Sequence, residues 1–505
     1  MTTTLQLGWL DGSILICYVI VLASIGWWAA HKTAKTTDDY FLASRSIPWW
    51  VTTASFFATC ISALTFVGTP GEGYSADYRY LFSNLGDIAA CFFIASVFLP
   101  HFQKLRVTSI YQAVAERFGP QARTACSGYF LLTRTLASTV RIVAISKVLE
   151  VVSGGAISYQ HCVILVVLMI LAYTTLGGGR AIAWTDLLQF TLLITGAVSA
   201  LIYIVLHIPE GIPQIIDIGR HAVKPDGTVY NKFIFLELST PKNLWTFFFL
   251  VIWGFFNSSA SYGSDQDMMQ RLLACNDPRK ARWSLLIWGL AGIPITFLFL
   301  SIGVGLYAYA HVHPDFVLNM RDTDHVFPRF ILSVMPHGLR GLLFAAIASA
   351  AMGSADSALA SLSTAFTMDF YKPFWGKDAS EAQCVKVSKI SFILFGLFFM
   401  IFALSLRNLD SLLWLAFRLI SFTYGPLFGL FVVTIMTDWK VKAGKILPLM
   451  FSYTIVTFSM AMYAWSVKTH GGTGFWADLH TDYWRFYIIG GALIMPAGAW
   501  LMKEN

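Results

Sequence analysis

Residues 52–78 read TTASFFATCISALTFVGTPGEGYSADY, and residues 253–271 read WGFFNSSASYGSDQDMMQR. Both stretches lie in segments apolar enough for a membrane, yet both are rich in glycine, alanine, serine and threonine. Small residues at membrane depth let backbones approach closely, and a helix tolerates interruption there where it lines a cavity. By our placement the second stretch follows five helices after the first. Because five is odd, the two stretches predict a pair of broken helices with opposite orientation, as in inverted repeats.

The composition of the whole chain is that of a membrane protein. Of its 505 residues, 56% are hydrophobic, 15% are aromatic and only 12% are charged, and the mean hydropathy is +0.63. Apolar runs of about twenty residues recur, and each can span ~30 Å of hydrocarbon. We therefore predict an all-α polytopic membrane protein with about 13 transmembrane helices. They are placed at 8–30, 50–75, 79–103, 124–152, 158–177, 182–207, 244–270, 282–311, 329–371, 386–406, 409–437, 446–467 and 483–502.

The pairing of the two stretches divides this single transmembrane domain, residues 1–505. The arrangement is that of the LeuT-type transporter fold, with five plus five helices in inverted repeats. The predicted parts are an extra N-terminal helix (8–30), a first repeat (50–207), an outer loop (208–243), a second repeat (244–437) and two C-terminal helices (446–502). The alternative is that both stretches are small-residue packing faces of ordinary helices.

Basic residues concentrate on one side of the predicted helices. They follow the odd-numbered spans, as in Lys32 and Lys35 after the first and Arg271, Arg279 and Lys280 after the seventh. Lys and Arg are enriched in cytoplasmic loops, so we expect the N-terminus outside and the C-terminus in the cytoplasm of a plasma (inner) membrane. The net charge of +7 is explained by this topology and does not indicate nucleic-acid binding.

Ionisable residues at membrane depth are costly, and each suggests a function or a buried pair. Those predicted here are Asp87, Arg134, Arg141, Asp186, Asp265, Asp267, Asp356 and Arg418. Asp356 lies in AAMGSADSALAS, residues 350–361. At helical spacing this segment forms one narrow stripe of small residues, namely Ala350, Gly353, Ser354, Ser357 and Ser361. The stripe faces one or two sodium ions, or it is a packing face in which Asp356 pairs with a basic neighbour such as Arg418.

Several motifs, in their order and spacing, resemble the sodium/solute symporter family. They are DDYFLASRSIPWW, SALTFVGTPGEGY, AYTTLGGGRAIAWTDLLQ, DQDMMQRLLACNDPRKA and ADSALASLSTAFTMDFY. The resemblance is strong over about 8–437, and the bacterial sodium/sialic acid symporters are among the closer relatives. It implies sodium-coupled import of a small organic solute by alternating access. The solute is a carboxylate such as sialic acid or, alternatively, a galactose- or glucose-like sugar.

The resemblance also implies cation sites. The first sodium ion would bind four carbonyls and one hydroxyl, those of Ala58, Ile61, Ala350, Gly353 and Ser354. A second would bind at Asp186, Asp356 and Ser357. The sialic acid carriers have serine or threonine where Asp356 stands, so the two carboxylates would bind a cation more strongly or one would carry a proton.

The solute site implied by the resemblance lies against the broken helices and the third and fourth helices. Its residues are Cys60, Ser62, Ala63, Thr65, Tyr80, Asn84 and Arg141. Arg141 would pair with a substrate carboxylate, with Arg134 as one alternative. Another alternative is that Arg141 pairs structurally with Asp87. Cys60 and Ala63 replace hydroxyl residues and Asn84 replaces a glutamine, which puts sialic acid itself in doubt.

Other functional classes find less support. A membrane hydrolase needs a nucleophile with a base in reach, and neither GxSxG nor HExxH occurs, so we expect no enzyme activity. A sensor and a channel-like protein without coupled transport stay as alternatives. The expected partners are sodium ions, a small organic solute and the lipid bilayer.

Overall fold

The computed structural model describes residues 8–31, 36–61, 63–153, 155, 157–223, 227–236, 241–316, 323–406, 412–470 and 485–503. Helices dominate the described chain. They are α1 (Trp9–Ala30), α2 (Thr37–Leu42), α3 (Trp49–Cys60), α4 (Ala63–Ser75), α5 (Ser83–Phe93), α6 (Leu99–Leu105), α7 (Tyr111–Val152), α8 (Tyr159–Leu206), α9 (Ile212–Arg220), α10 (Pro241–Gly263), α11 (Gln266–Leu273), α12 (Pro278–Val312), α13 (Val326–Ser333), α14 (Leu339–Ala365), α15 (Lys372–Phe374), α16 (Glu381–Ser405), α17 (Leu412–Met436), α18 (Ala443–Thr469) and α19 (Phe486–Met502). Short strands β1 (Ala222–Val223) and β2 (Val229–Tyr230) pair antiparallel between α9 and α10.

The helices have the length and apolar character of membrane spans. Within the described ranges, eight are long and apolar enough to cross a bilayer, and the bent pair α3–α4 makes nine. Outward-facing apolar side chains such as Ile455, Phe458 and Trp465 on α18 are at least half exposed, which suits a surface covered by lipid. The prediction of an all-α polytopic membrane protein is confirmed, whereas the number of thirteen spans stays a prediction.

The first small-residue stretch contains a break between α3 and α4. Helix α3 ends at Cys60, and Ile61 is extended (φ −86°, ψ 90°). The two helices are bent by 57°. Helix ends carry backbone N–H and C=O groups without intrahelical partners, and such groups are tolerated at membrane depth only where protein or a cavity surrounds them. The polar backbone at this break must therefore contact protein or a cavity and not lipid.

The second stretch is also broken, between α10 and α11. Helix α10 ends at Gly263, and Asp265 is extended (φ −98°, ψ 121°). The Asp265 carboxylate accepts a hydrogen bond from the backbone N–H of Asp267 (2.8 Å), so it caps the start of α11. The carbonyl of Ser264 accepts from the Tyr111 hydroxyl (3.0 Å). The interruption is thus held by side chains from within the bundle.

One predicted helix was wrong and one predicted helix boundary was confirmed. The span 329–371 is divided into α13 and α14, because Pro336 disfavours helical backbone before it and Gly338 has φ +89°. The separate helices predicted at 158–177 and 182–207 are present as the two parts of α8, Tyr159–Thr175 and Gly177–Leu206. The chain leaves helical geometry between them at Gly178 (φ +56°), where a Cβ atom would meet the backbone oxygen of Tyr40. Single residues with special backbone angles set both boundaries.

Helix α14 lies at the centre of the bundle and is buried along nearly its whole length. It packs against α1, α3, α7, α8, α11 and α16. Its run of alanine, glycine and serine explains this position, because small side chains let several helices approach one axis. The predicted stripe of small residues therefore lies in the interior of the protein.

Lys232 connects the segment after β2 to the end of α4 through hydrogen bonds. Its side chain is fully buried, and its Nζ donates to the carbonyls of Gly73 (3.3 Å), Tyr74 (2.6 Å) and Ala76 (3.1 Å). The ammonium also lies over the ring of Tyr307, 4.4 Å from its centroid. These contacts satisfy carbonyls at a helix C-terminus, where a cation is favoured.

Burial lowers the pKa of Lys232 from its ordinary value of 10.5 to about 7. Between these two values the unfolded chain binds the proton that the folded chain has lost, so stability should rise with pH. We predict that the difference in melting temperature between the wild type and Lys232→Met rises from pH 7 to pH 10.5. Below pH 7 this difference should be constant. A difference independent of pH would show that Lys232 stays charged in the folded protein.

Candidate functional site

A cavity of about 200 Å³ lies beside both helix breaks. The break of α3–α4 contributes Cys60 and Ile61 to its wall, and the break of α10–α11 contributes Asp265. Side chains of α5, α7, α10, α12 and α17 complete the wall. The polar residues among them are Ser83, Asn84, Asp87, Arg134, Arg141, Asn257, Ser258, Ser261, Tyr262, Thr296 and Tyr424. A cavity enclosed by two broken helices and lined by converging polar groups is suited to a small polar ligand.

The predicted solute residues converge on this cavity. Those that line it are Cys60, Thr65, Tyr80, Asn84 and Arg141. Ser62 and the side chain of Ala63 lie outside the described residues. The α10 residues Asn257, Ser258 and Tyr262 also line the cavity. They were not among the predicted solute residues, although the polar composition of the stretch 253–271 was a signal for them.

Arg134 is held in a buried ionic network. Its Nη1 lies 3.0 Å from Asp265 Oδ2, and its Nη2 contacts Asp267. The hydroxyl of Tyr424 donates to the same oxygen of Asp265 (2.6 Å). Because both carboxylates already neutralise Arg134, this arginine has a structural partner and is a poor choice for a substrate carboxylate.

Arg141, two turns further along α7, has a different environment. It also lines the cavity, and its Nε and Nη1 atoms are buried without a hydrogen-bond partner among the described residues. The alternative that Arg141 pairs with Asp87 is not supported, since no ion pair joins them in the described part of the chain. A buried cation without a partner is costly, so Arg141 is the side chain most in need of an anionic ligand.

The small-residue stripe of α14 faces α3, the first half of the first broken helix. Ala58, Ile61, Ala350 and Ser354 are all at most 2% exposed. The Oγ of Ser357 lies 3.2 Å from Thr59 Oγ1 on α3. The structure thus places backbone carbonyls and short hydroxyls of two helices side by side in the interior, and these are the oxygen donors that a hard cation prefers.

The two carboxylates of the predicted second cation site lie beside the stripe. Asp186 on α8 accepts from Ser55 Oγ (2.5 Å), and Asp356 accepts from the Tyr173 hydroxyl (2.6 Å). The second oxygen of each carboxylate is buried without a hydrogen-bond partner among the described residues, as is the amide of Gln189. The Arg418 side chain lies outside the described residues, so its pairing with Asp356 stays untested.

Arg271 lies in the interior, whereas its position in the sequence predicts a basic loop after the seventh span. It is 4% exposed. Its Nε is 3.8 Å from Asp186 Oδ2, and its Nη2 donates to Ser357 Oγ. The i, i+4 spacing from Asp267, with which it also forms an ion pair at 3.8 Å, was the available signal.

Comparison with known proteins now decides the family. Residues 40–450 match the sequence profile of the sodium:solute symporter family. The chain belongs to this family. It is a membrane transporter whose coupling ion is sodium, and it is not an enzyme.

Individual relatives of this symporter are also similar over most of its length. It is 29% identical to the sodium/sialic acid symporter SiaT of Proteus mirabilis, over 87% of this chain and 86% of the relative. A solved structure of a substrate-bound, outward-open Na⁺-coupled sialic acid symporter matches with a TM-score of 0.82 and 26% identity, covering 98% of each chain. The structure of Mhp1, a nucleobase-cation-symport-1 family transporter, matches with a TM-score of 0.51 and 14% identity over 93% of this chain and 95% of the other. The expected LeuT-type fold is confirmed by these matches.

The two arginines of α7 should respond oppositely to the same substitution in this symporter. Arg134→Met leaves Asp265 and Asp267 buried without their guanidinium, which we expect to cost about 3–5 kcal/mol of stability. Arg141→Met removes a cation without a partner, so the ligand-free protein should be as stable as the wild type or more stable. Thermal unfolding of the two purified variants checks this. Equal destabilisation by both would contradict the assignment of separate roles.

Proposed function

We propose that this symporter imports a small organic carboxylate, of the sialic acid class, together with sodium by alternating access. The observation that carries the proposal is Arg141, whose Nε and Nη1 are buried without a hydrogen-bond partner among the described residues, in a cavity beside two helix breaks. A solute carboxylate would form charge-assisted hydrogen bonds with it. The similarity to proteins named as sialic acid symporters supports the same class of solute.

The first sodium ion would bind where α3 meets α14. Its proposed ligands are the carbonyls and hydroxyl of Ala58, Ile61, Ala350, Gly353 and Ser354. What supports this site is the burial of these residues and the contact between the two helices at Thr59 and Ser357. An ion there would tie the inner half of the broken helix to α14 and order the site that receives the solute. Its entry would be driven by ~2.3 kcal/mol per charge per 100 mV of membrane potential, in addition to the sodium gradient.

A second cation would bind at Asp186, Asp356 and Ser357. The buried oxygens without partners on both carboxylates support it. The guanidinium of Arg271 beside Ser357 works against it, because like charges repel strongly at low dielectric. A cation at this site would therefore coordinate the oxygens of Asp186 and Asp356 that Arg271 does not reach.

The proposed cycle uses the predicted organisation of the chain. Residues 50–207 and 244–437 would be the inverted repeats, with the N-terminus outside and the C-terminus in the cytoplasm. Alternating access then follows from rocking of the bundle that holds the broken helices α3–α4 and α10–α11 against the rest of the protein. Loss of sodium to the cytoplasm would loosen α3 from α14 and release the solute.

The test is a thermal-shift panel on purified protein in NaCl and in choline chloride. A ligand that binds only the folded state raises its stability. We expect N-acetylneuraminate or another carboxylate to stabilise the protein in NaCl alone, and Arg141→Met to abolish the shift. Stabilisation by galactose or glucose, unaffected by Arg141→Met, would replace the carboxylate with a neutral sugar.

Ser354 supplies the side-chain ligand of the proposed first sodium site. We predict that Ser354→Ala raises the sodium concentration needed for half-maximal thermal stabilisation by about tenfold, the effect of one lost ligand bond of ~1.4 kcal/mol. Ser361→Ala, on the same face of α14 and bonded within its own helix through Ala358, is the matched control. Unchanged sodium affinity in Ser354→Ala would place the site elsewhere.

The proposed second site predicts a change in stoichiometry. Asp186→Asn and Asp356→Asn each remove one carboxylate, so we expect the Hill coefficient for sodium in uptake assays to fall towards one. The measurement is solute uptake into proteoliposomes as a function of sodium concentration. If neither variant changes the Hill coefficient of the wild type, the second site is wrong.

A further inference from the structure

We infer that Asp87 determines specificity by binding a hydrogen-bond donor of the solute, in the cavity that Arg141 also lines. This inference rests on the proposed function, since it concerns the same cavity. The solute would then carry two recognised groups, a carboxylate and a separate donor. An ammonium group and the hydroxyls of an acidic sugar are the two sources of such a donor.

Asp87 is fixed within the cavity wall by its neighbours. It lies on α5, lines the cavity and is 7% exposed. The hydroxyl of Tyr262 donates to its Oδ1 (2.8 Å), and the indole Nε1 of Trp288 donates in turn to Tyr262 (2.7 Å). This relay and a hydrogen bond with the Ser258 side chain fix the orientation of the carboxylate, and its Oδ2 lies beside Gly292.

The space beside Oδ2 is bounded by bare backbone. A Cβ atom on Gly292 would lie 3.5 Å from Asp87 Oδ2 and 3.2 Å from Asn84 Oδ1. Both oxygens come from one face of α5, three residues apart. Two acceptors over a glycine form a place for a donor group, and a side chain at residue 292 would fill it.

The charge of Asp87 also requires a partner. In the described part of the chain no arginine, lysine or histidine forms an ion pair with it, in contrast to Asp265 and Asp267. A buried carboxylate that is bonded only to neutral groups is costly, and at membrane depth it suggests a function. Arg141 and Asp87 are thus two ions that line one cavity and form no ion pair with each other in the described chain, and a solute with complementary groups would satisfy both.

The experiment measures binding to the full-length protein in sodium for three probes. N-acetylneuraminate carries a carboxylate and hydroxyls, proline carries a carboxylate and an ammonium group, and propionate carries a carboxylate without a further donor. Whichever of N-acetylneuraminate and proline binds to the wild type, we expect Asp87→Asn to weaken its binding by about 10-fold to 100-fold. The larger loss is expected for proline, because the amide of the variant can still accept a hydrogen bond from a hydroxyl but has no charge to attract an ammonium group. Propionate should be unaffected or undetectable in both proteins.

A second variant keeps Asp87 intact. Gly292→Ala places a methyl group in the space for the donor, so it should weaken the two-group probe and leave propionate unchanged. Asp87→Asn should melt at or above the wild-type temperature without ligand, since it removes no structural ion pair. The role of Asp87 would be overturned if Asp87→Asn lowered the melting temperature or changed the sodium affinity in the absence of solute. It would also be overturned if the variant weakened the binding of all probes equally, or of none.

Failure of the proposed function has a different signature. If Arg141→Met binds the probes as the wild type does, the carboxylate site itself is wrong. If Arg141→Met loses binding while Asp87→Asn retains it for every probe, the carboxylate site stands and only the inference about Asp87 fails.

Discussion

The carboxylate of Asp265 holds together the helices at the centre of the transporter. It caps α11 where the chain resumes a helix after the second break, it pairs with Arg134 on α7, and it accepts from Tyr424 on α17. A helix that stops at membrane depth must have its free backbone groups satisfied by protein. One side chain meets this requirement and joins three helices beside the cavity, so the break is rigid on this side.

The buried charges fall into two groups, and the division indicates function. Asp265 and Asp267 share Arg134, and Asp267 and Asp186 approach Arg271. Asp369 pairs with Arg123, Asp11 contacts His337, and Lys232 is bound by carbonyls. In the described chain, Arg141 and Asp87 in the cavity and Asp356 on α14, which accepts from Tyr173, form no ion pair. These three are the ions that would bind a solute or a cation. This explains how a protein with few charged residues has a strong electrostatic field at its centre.

The sequence predicted the fold class and both helix breaks, because small and polar residues in an apolar segment leave a local signal. Through the family resemblance it also predicted some of the side chains that line the cavity, namely Cys60, Thr65, Tyr80, Asn84 and Arg141, but not those of α10. It did not predict the partners of the charges, since Arg134 reaches Asp265 across more than a hundred residues and only packing brings them together. Arg271 was misread for the same reason, because its position next to a basic loop concealed its burial. The role of Asp87 depends on Gly292, which no local pattern connects to it.

The central claim is that sodium drives a carboxylate solute through the cavity bounded by the two broken helices. Its most direct test is uptake of labelled N-acetylneuraminate into proteoliposomes under an inward sodium gradient, with Arg141→Met as the comparison. The account predicts accumulation above the external concentration in the wild type, which collapses when the sodium gradient is dissipated and is absent in the variant. Accumulation that persists without a sodium gradient, or that Arg141→Met leaves intact, would contradict it.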